Sequence, residues 1–186
     1  LAKKFDEQVL NILKKRKTLR IIDISKVKIK NLITIKNFSN SFLIQSKDNI
    51  VFNKNKLQFV TKNKPTRKEI SEIEFAFNIC KYVKSNAIVL TNSFSTIGIG
   101  AGQPSRLDSC KIATQKAKQF CSFMINNSIA ASDAFFPFPD GIKTLIKAGV
   151  KIIVQPGGSI KDQDVIEEAN KAKIKMIFTG TRHFNH

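Results

Sequence analysis

Glycine residues and residues with aromatic or amide side chains are concentrated in four short segments, which together could bind a ligand with anionic and planar groups. These segments are 85–86, 98–103, 133–140 and 155–159. Gly98, Gly100 and Gly102 permit close approach to the backbone, and the helix expected after them, which Ser105 could cap, could present its N-terminus to an anion. A tight strand-to-helix turn explains this glycine loop equally well.

Three aromatic residues, Phe135, Phe136 and Phe138, lie around two prolines in the segment 133–140. Core packing is the ordinary explanation for them, and a wall for a planar heterocycle is the alternative. Asp140 could bind a ligand or could simply cap the helix expected after it. Both pairs of alternatives stay open on the sequence alone.

The C-terminal segments offer further anion-binding groups but no convincing metal ligands. The backbone N–H groups of 157–159 could face a carboxylate or phosphate, and Arg182 could pair with a phosphate. His183 and His186 lie three residues apart without an adjacent Cys, Asp or Glu, so we expect no metal site. The three cysteines occur singly as Cys80, Cys110 and Cys121, which indicates buried thiols in a reducing, cytoplasmic compartment.

Composition excludes two classes of protein and leaves a third open. The 186 residues include 42% hydrophobic residues, too many for a disordered polybasic tail, and no apolar run is long enough for a membrane span. The formal charge of +18 is concentrated in the Lys- and Asn-rich first third. Codon bias is the ordinary explanation for this charge, and an anion-binding surface is the alternative. A basic nucleic-acid-binding module is therefore an alternative, although no RNA-binding motif supports it.

Alternating apolar runs and helical repeats predict an α/β fold. Strands are expected at 19–24, 41–45, 57–61, 87–90, 96–100, 129–132, 151–155 and 175–178. Helices are expected after Asp6, from Thr66, and at 105–123, 141–148 and 161–173. The second half should form βαβ units, with a mainly parallel sheet between two layers of helices. In such a sheet ligands bind beyond the carboxyl ends of the strands, where the four segments should converge.

Five longer segments resemble, in order and spacing, the C-terminal end of the bifunctional purine biosynthesis family, which joins AICAR formyltransferase to IMP cyclohydrolase. They are 84–89, 97–103, 132–138, 155–160 and 182–184. The resemblance implies that 1–64 are a helix and strands of the formyltransferase domain. It implies that 65–186 are the second cytidine-deaminase-like subdomain, an α/β/α three-layer sandwich. The first subdomain and the cyclohydrolase domain have no counterpart here.

The resemblance also implies a reaction and a set of contacts. A formyl group passes from 10-formyltetrahydrofolate to the amino group of AICAR, without a metal, in a cytoplasmic homodimer. The positions that match the family's AICAR contacts are Asn86, Arg106, Phe135 and Arg182. Those that match its folate contacts are Leu107, Asp140, Ser159 and Ile160.

Several features of the family are missing or altered. Its catalytic Lys–His pair lies in an earlier segment, so we expect this chain alone to bind AICAR or folate weakly and to transfer no formyl group. The cysteine and histidine motifs of zinc deaminases are absent from the sequence. Pro104, Pro139 and Asn185 replace other residues of the family, and Pro139 removes a cation and a backbone donor beside Asp140. An inactive, decaying gene product is therefore a further alternative.

Overall fold

The computed structural model describes residues 4–26 and 33–185. Contacts between residues are concentrated within two compact units, Leu1–Lys47 and Asp48–His186. The domain boundary expected after residue 64 falls inside the second unit and stays a prediction. None of the helices in the described residues is long and apolar enough to cross a membrane.

Among its described residues, the first unit contains one helix and one hairpin. They are α1 (Glu7–Leu13) and the antiparallel pair of β1 (Ile33–Phe38) and β2 (Ser41–Ser46). The helix after Asp6 and the strand at 41–45 are confirmed, but the strand expected at 19–24 is wrong. A strand needs a continuous ladder of partners, and within 19–24, all of which the structure describes, Asp23 alone forms a bridge. Part of the Lys-rich stretch, 27–32, lies outside the described residues.

The second unit is a six-stranded sheet, among the residues described, with helices on both faces. Its strands are β3 (Gln58–Phe59), β4 (Ile88–Asn92), β5 (Ser95–Gly100), β6 (Ile129–Ser132), β7 (Ile152–Gln155) and β8 (Lys175–Phe178). Its helices are α2 (Arg67–Cys80), α3 (Arg106–Cys121), α4 (Pro139–Ala148) and α5 (Asp162–Lys171). Every strand and helix expected from residue 57 onward is present, with its ends shifted by a few residues.

Local sequence signals explain where the helices begin and end. Thr66 caps α2 by accepting a hydrogen bond from the Glu69 backbone N–H, while the Glu69 carboxylate accepts one from the Thr66 N–H, which completes the expected capping box. Tyr82, expected on the apolar face of this helix, lies beyond its end and is exposed. Gly149 ends α4 in the left-handed conformation that glycine adopts without steric cost.

The sheet is mixed, which corrects the expectation of a mainly parallel sheet in the second half. β6, β7 and β8 are parallel, but β4 runs antiparallel to both β5 and β6, and β3 runs antiparallel to β8. The reason is the connection between β4 and β5, a tight turn at 93–94, since a parallel pair would need a crossover of a dozen or more residues.

Side chains of β4 alternate between two hydrophobic clusters, as the period of a strand requires. Ile88 and Leu90 pack with residues of α3, α4 and α5 on one face, and Ala87 and Val89 pack with residues of α2 on the other. All four side chains are fully buried. The continuous apolar run at 87–90 is therefore explained by burial on both faces, and the expected layers of helices on both sides of the sheet are confirmed.

Candidate functional site

The candidate site lies at one edge of the sheet in the second unit. Ile88 at the start of β4 pairs with Gly100 at the end of β5 and with Ser132 at the end of β6. Because β4 is antiparallel to both neighbours, its amino end lies beside their carboxyl ends. The loop before β4 therefore meets the loops after β5 and β6, at the position where α/β sheets bind ligands.

Two neighbouring cavities open at this edge, and Pro137 and Phe138 line both of them. The smaller, called here the Asn86 cavity, has a volume of about 280 Å³, and its lining includes Asn86, Pro104, Arg106, Leu107, Phe138 and Asp140. The larger, the Arg182 cavity, has a volume of about 530 Å³, and its lining includes Phe135, Phe138, Gly158, Ser159, Ile160 and Arg182.

All eight residues predicted from the sequence line these two cavities. The Asn86 cavity is lined by Asn86, Arg106, Leu107 and Asp140. The Arg182 cavity receives Phe135, Ser159, Ile160 and Arg182. Each cavity thus combines two residues matched to AICAR with two matched to folate, so the structure brings the residues to one edge but groups them differently from the two predicted sets.

The Asn86 side chain is held by the loop that follows β5. Its side-chain Nδ2 donates to the carbonyl oxygens of Gln103, at 2.9 Å, and Pro104, at 3.1 Å. The Ser109 hydroxyl donates to the Asn86 carbonyl at 2.8 Å. The Asn86 Oδ1 accepts no hydrogen bond from any residue that the structure describes, so it remains an acceptor in the wall of the cavity.

Arg106 is engaged within the protein. Its Nε donates to the Ser132 hydroxyl at 3.0 Å, its Nη1 to the Phe135 carbonyl at 3.2 Å, and its Nη2 to the Asp133 Oδ1 at 2.7 Å. The Asp133 side chain is 1% exposed and that of Arg106 10%. This buried ion pair ties the start of α3 to the loop after β6. The Asp133 Oδ2 is also buried and has no partner among the described residues.

The glycines at 98–102 serve two different purposes. A Cβ atom at Gly98 would lie 2.2 Å from the Ala113 carbonyl oxygen, and one at Gly100 would lie 2.0 Å from the Ser109 carbonyl oxygen. These two glycines therefore let α3 pack directly on β5. Gly102 alone of the three has a positive φ, 66°. Tight packing and a turn thus account for the loop, and Ser105, at the N-cap of α3, makes no capping hydrogen bond within the described residues.

Asp140 lies inside α4 rather than in front of it. The helix begins at Pro139, with Phe138 as its N-cap, so the alternative that Asp140 is the N-cap is wrong. Asp140 accepts a hydrogen bond from the Gly141 N–H at 2.7 Å. Pro139 occupies the first helical position, where the N–H would lack an intrahelical partner and the fixed φ of proline suits the helix. The loss of that donor is therefore harmless to the fold.

The glycine turn at 157–158 is satisfied internally. The Gly158 N–H donates to the Asp162 carboxylate at 2.6 Å, so the carboxylate that this turn binds belongs to the first turn of α5. The Ser159 hydroxyl accepts from the Lys161 N–H at 3.1 Å. Ile160 is fully exposed at the rim of the Arg182 cavity.

Arg182 is the freest of the predicted cations. Its guanidinium carbon lies 4.5 Å from the centre of the Phe135 ring, and the residue is exposed. Among the described residues it has no hydrogen-bond or ion-pair partner. A cation on an aromatic face that keeps its donors free can pair with an anionic ligand.

Sequence reasoning missed a contact next to Arg182 between the buried His183 and the half-buried Asp48. The His183 Nδ1 lies 2.5 Å from the Asp48 Oδ2, and the His183 ring lies 4.9 Å from that of Phe77. Asp48 and His183 are 135 residues apart in sequence, so no local pattern could have indicated the contact. His186 lies outside the described residues, and these contain no group of three His, Cys, Asp or Glu side chains placed to hold a metal.

Two of the three cysteines are buried thiols, as expected. Burial raises the pKa of Cys80 well above its ordinary value and raises that of Cys110 to about 12, so both stay protonated at neutral pH. Cys121 is half-buried. Neither Cys80 nor Cys110 is therefore a candidate nucleophile.

The resemblance noted in the sequence is confirmed by comparison with known proteins. The sequence profile of the family described as AICARFT/IMPCHase bienzyme matches residues 1–116. Bifunctional purine biosynthesis protein PurH from Bartonella bacilliformis is 45% identical, with 97% of this chain and 35% of the relative covered. The PurH proteins of Aquifex aeolicus and Buchnera aphidicola are 42% and 44% identical, each with 100% of this chain and 36% of the relative covered.

This chain belongs to the AICARFT/IMPCHase bienzyme family. It spans about a third of the length of the curated relatives it matches. Among solved structures, a diaminohydroxyphosphoribosylaminopyrimidine deaminase/reductase from Thermotoga maritima has a TM-score of 0.37 and 17% identity, with 56% of this chain and 33% of that chain covered. That overlap is too small to assign the finer fold, and the fold stands as α/β with a mixed sheet.

Proposed function

We propose that this chain supplies part of the AICAR- and folate-binding site of a formyltransferase in de novo purine biosynthesis. Membership of the family supports the reaction class. The observation that carries the proposal is that Pro137 and Phe138 line both cavities. Because each cavity contains residues matched to AICAR and residues matched to folate, the two ligands would adjoin at this shared loop, as group transfer between them requires.

The reaction makes specific demands on such a site. The amino nitrogen of AICAR attacks the formyl carbon, the bond from that carbon to N10 of the folate breaks, and the proton lost by the amine balances the one gained at N10 of tetrahydrofolate. The amine is a weak nucleophile because its lone pair is delocalised into the ring. Orientation of the two reactants, together with removal of the proton as the bond forms, is thus the main contribution that a protein can make.

The free groups at the site suit the AICAR part of this chemistry. The Arg182 guanidinium, with its donors unpaired among the described residues, would oppose the phosphate. The Asn86 Oδ1 would accept an N–H of the carboxamide. The Phe135 ring, half-buried beneath Arg182, would pack against the flat base. Arg106 would act mainly by fixing the Phe135 carbonyl and the Asp133 carboxylate.

The residues matched to folate provide one carboxylate, one hydroxyl and two apolar side chains. Asp140 would accept N–H groups of the pterin, and Ser159 would hydrogen-bond a polar group of the cofactor. Leu107 and Ile160 would pack against its rings, and the full exposure of Ile160 leaves that surface available.

The remaining parts of the proposal concern the whole protein. The catalytic Lys–His pair and the IMP cyclohydrolase activity belong to segments outside this chain, and the full protein would be a metal-free cytoplasmic homodimer. Within it, 65–186 would be a cytidine-deaminase-like subdomain preceded by the helix and strands of 1–64. Neither Pro104 nor Pro139 interrupts a helix or strand, which favours a functional protein over a decaying gene product.

Calorimetric titration of the 186-residue chain with AICAR tests the proposal. Arg182→Ala should weaken binding about tenfold, the loss expected for one charge-assisted phosphate contact. Arg67→Ala removes the same side chain from the start of α2, outside both cavities, and should leave the affinity unchanged. Equal affinity of the wild type and Arg182→Ala would contradict the proposal.

The nucleic-acid alternative makes the opposite prediction. Salt-sensitive binding of duplex DNA that is abolished by Lys→Gln substitutions within 14–17 and 26–30, without detectable AICAR binding, would favour a basic binding module. In the account proposed here, these substitutions leave AICAR binding intact.

A spectroscopic assay of tetrahydrofolate release should show no turnover by this chain alone.

A further inference from the structure

Backbone hydrogen bonds hold the segment that carries Arg182 on both sides of that residue. The Thr179 N–H donates to the Gln155 carbonyl at 2.9 Å, and the Gly180 N–H to the Pro156 carbonyl at 3.0 Å. On the other side, the His183 N–H donates to the Asp133 carbonyl at 2.9 Å. Since the Arg182 side chain has no hydrogen-bond or ion-pair partner among the described residues, these backbone hydrogen bonds largely decide where its guanidinium lies.

His183 is the anchor nearest to Arg182, and its side chain is 4% exposed. The ring packs against Phe77 of α2 and its Nδ1 lies 2.5 Å from the Asp48 Oδ2. An imidazole held by a carboxylate on one side and an aromatic ring on the other has one orientation available. The backbone of residue 183, and with it the direction in which residue 182 leaves the segment, is fixed by these contacts.

Asp48 is itself held in place. Its Oδ1 accepts from the Ile50 N–H at 3.0 Å and lies 3.5 Å from the Lys81 Nζ, which donates to the Ile50 carbonyl at 2.8 Å. Burial opposes ionisation of this carboxyl most strongly, but the hydrogen bonds from His183 and Ile50 and the charges of His183 and Lys81 together lower its pKa. The carboxylate is thus a fixed acceptor for the imidazole.

We infer that Asp48 and His183 are positioning residues that hold the Arg182 guanidinium over Phe135 and at the mouth of the Arg182 cavity. The inference rests on the proposed function, because it assigns the pair a role in binding the anionic part of AICAR. Neither residue lines the cavity, so neither touches the ligand. Their effect on binding must therefore pass through Arg182.

A double-mutant cycle measures that dependence. His183→Leu keeps an apolar side chain against Phe77 but removes the imidazole donor, and it should weaken AICAR binding by the 186-residue chain about fivefold in calorimetric titration. In the Arg182→Ala background the same substitution should change the affinity by less than about twofold, because no guanidinium remains to be positioned.

Conservative variants keep the test decisive if His183→Leu does not fold. His183→Asn places an amide donor close to the position of Nδ1, and Asp48→Asn keeps an oxygen acceptor, so both should bind AICAR within about twofold of the wild type. Asp48→Ala, without an acceptor, should weaken binding as much as His183→Leu. Thermal unfolding of each variant shows whether the fold is kept.

The outcomes separate this inference from the proposed function. If Arg182→Ala weakens AICAR binding and His183→Leu weakens it equally in both backgrounds, the pair does not act through Arg182 and the inference is wrong. If Asp48→Asn and His183→Asn bind as weakly as Asp48→Ala, hydrogen bonding of the pair is not what matters, and the inference is again wrong. If the wild type binds no AICAR or Arg182→Ala has no effect, the proposed function itself fails.

Discussion

The two cavities differ in how far their polar side chains are already hydrogen-bonded to the protein. In the Asn86 cavity the polar side chains are already bonded to the protein: Arg106 makes three hydrogen bonds, the Asn86 amide makes two, and Asp140 accepts one. In the Arg182 cavity the guanidinium is held over a ring without a hydrogen-bond partner among the described residues, and Ile160 is fully exposed.

This difference indicates that the two cavities contribute differently to ligand binding within one site. Groups that are bonded before a ligand arrives lose little conformational freedom on binding, so the Asn86 cavity is a preformed wall. Groups with unused donors and apolar surface gain most from a ligand, so the Arg182 cavity should supply the larger share of binding energy. Replacement of a charged side chain should therefore affect mainly stability in the Asn86 cavity and mainly ligand affinity in the Arg182 cavity.

The largest expected effect is a loss of stability when the buried ion pair between Arg106, which lines the Asn86 cavity, and Asp133 is broken. Arg106→Ala leaves the Asp133 carboxylate buried without a counter-charge, and the free energy of unfolding should fall by about 3 kcal/mol. Urea denaturation of the chain measures this loss. Lys111→Ala breaks an exposed ion pair with Asp108 in the same helix and should cost less than about 0.5 kcal/mol. Equal losses of unfolding free energy in the two variants would mean that the Arg106–Asp133 pair does not stabilise the wall of the Asn86 cavity.

A smaller stability effect should come from the glycine turn beside the Arg182 cavity. Gly157 has a φ of 73°, and a Cβ atom there would lie 2.4 Å from the Phe178 ring, so Gly157→Ala should cost about 2 kcal/mol or more. Gly180 has a similar φ of 63° but nothing within 4 Å of a Cβ, so Gly180→Ala should cost about 1 kcal/mol. Thermal unfolding of both variants separates steric overlap from backbone strain.

Acid should remove the contribution of the ionised Asp48 carboxylate to the stability of the fold. The pKa of this carboxyl is lowered in the fold, so its stabilising contribution is complete above the unfolded value near 3.8 and is lost as pH falls through the lower folded value. Asp48→Asn should therefore be less stable than the wild type at pH 7 and should approach it below that window. A stability difference that stays constant between pH 7 and pH 2, measured by urea denaturation, would contradict this assignment.

The smallest expected effect is that of Pro139→Arg. Because residue 139 is the first of α4, where the N–H lacks an intrahelical partner, the free energy of unfolding should change by less than about 0.5 kcal/mol. The added cation beside Asp140 should raise folate affinity about twofold, since an exposed charge gains little. A stability change above 1 kcal/mol in urea denaturation would show that proline at this position matters to the fold.

The elements of the second unit were largely predictable from sequence because their signals are local. The Thr66–Glu69 capping box, the apolar run at 87–90 and the glycine after α4 each act within a few residues. The convergence of 98–103, 133–140 and 155–159 followed from the rule for α/β sheets. Segment 85–86 joins them only because β4 is antiparallel to its neighbours, which was not anticipated.

The chemistry of individual side chains was less predictable, because burial and distant partners decide it. Gly98 and Gly100 were candidates for ligand approach, yet the backbone of α3 occupies the space beside them. Arg106 was matched to an AICAR contact, yet its guanidinium is hydrogen-bonded to Ser132, Phe135 and Asp133. The contact of His183 with Asp48 joins residues that only the assembled sheet brings together.

Hydrogen–deuterium exchange of the chain, with and without saturating AICAR and a folate analogue, tests most directly whether the two cavities form one site. The account predicts slower exchange in the loops of both cavities, at 103–107 and 135–138 on one side and at 157–160 and 180–183 on the other. Slower exchange confined to the Lys-rich segment 14–17, or none at all, would contradict it.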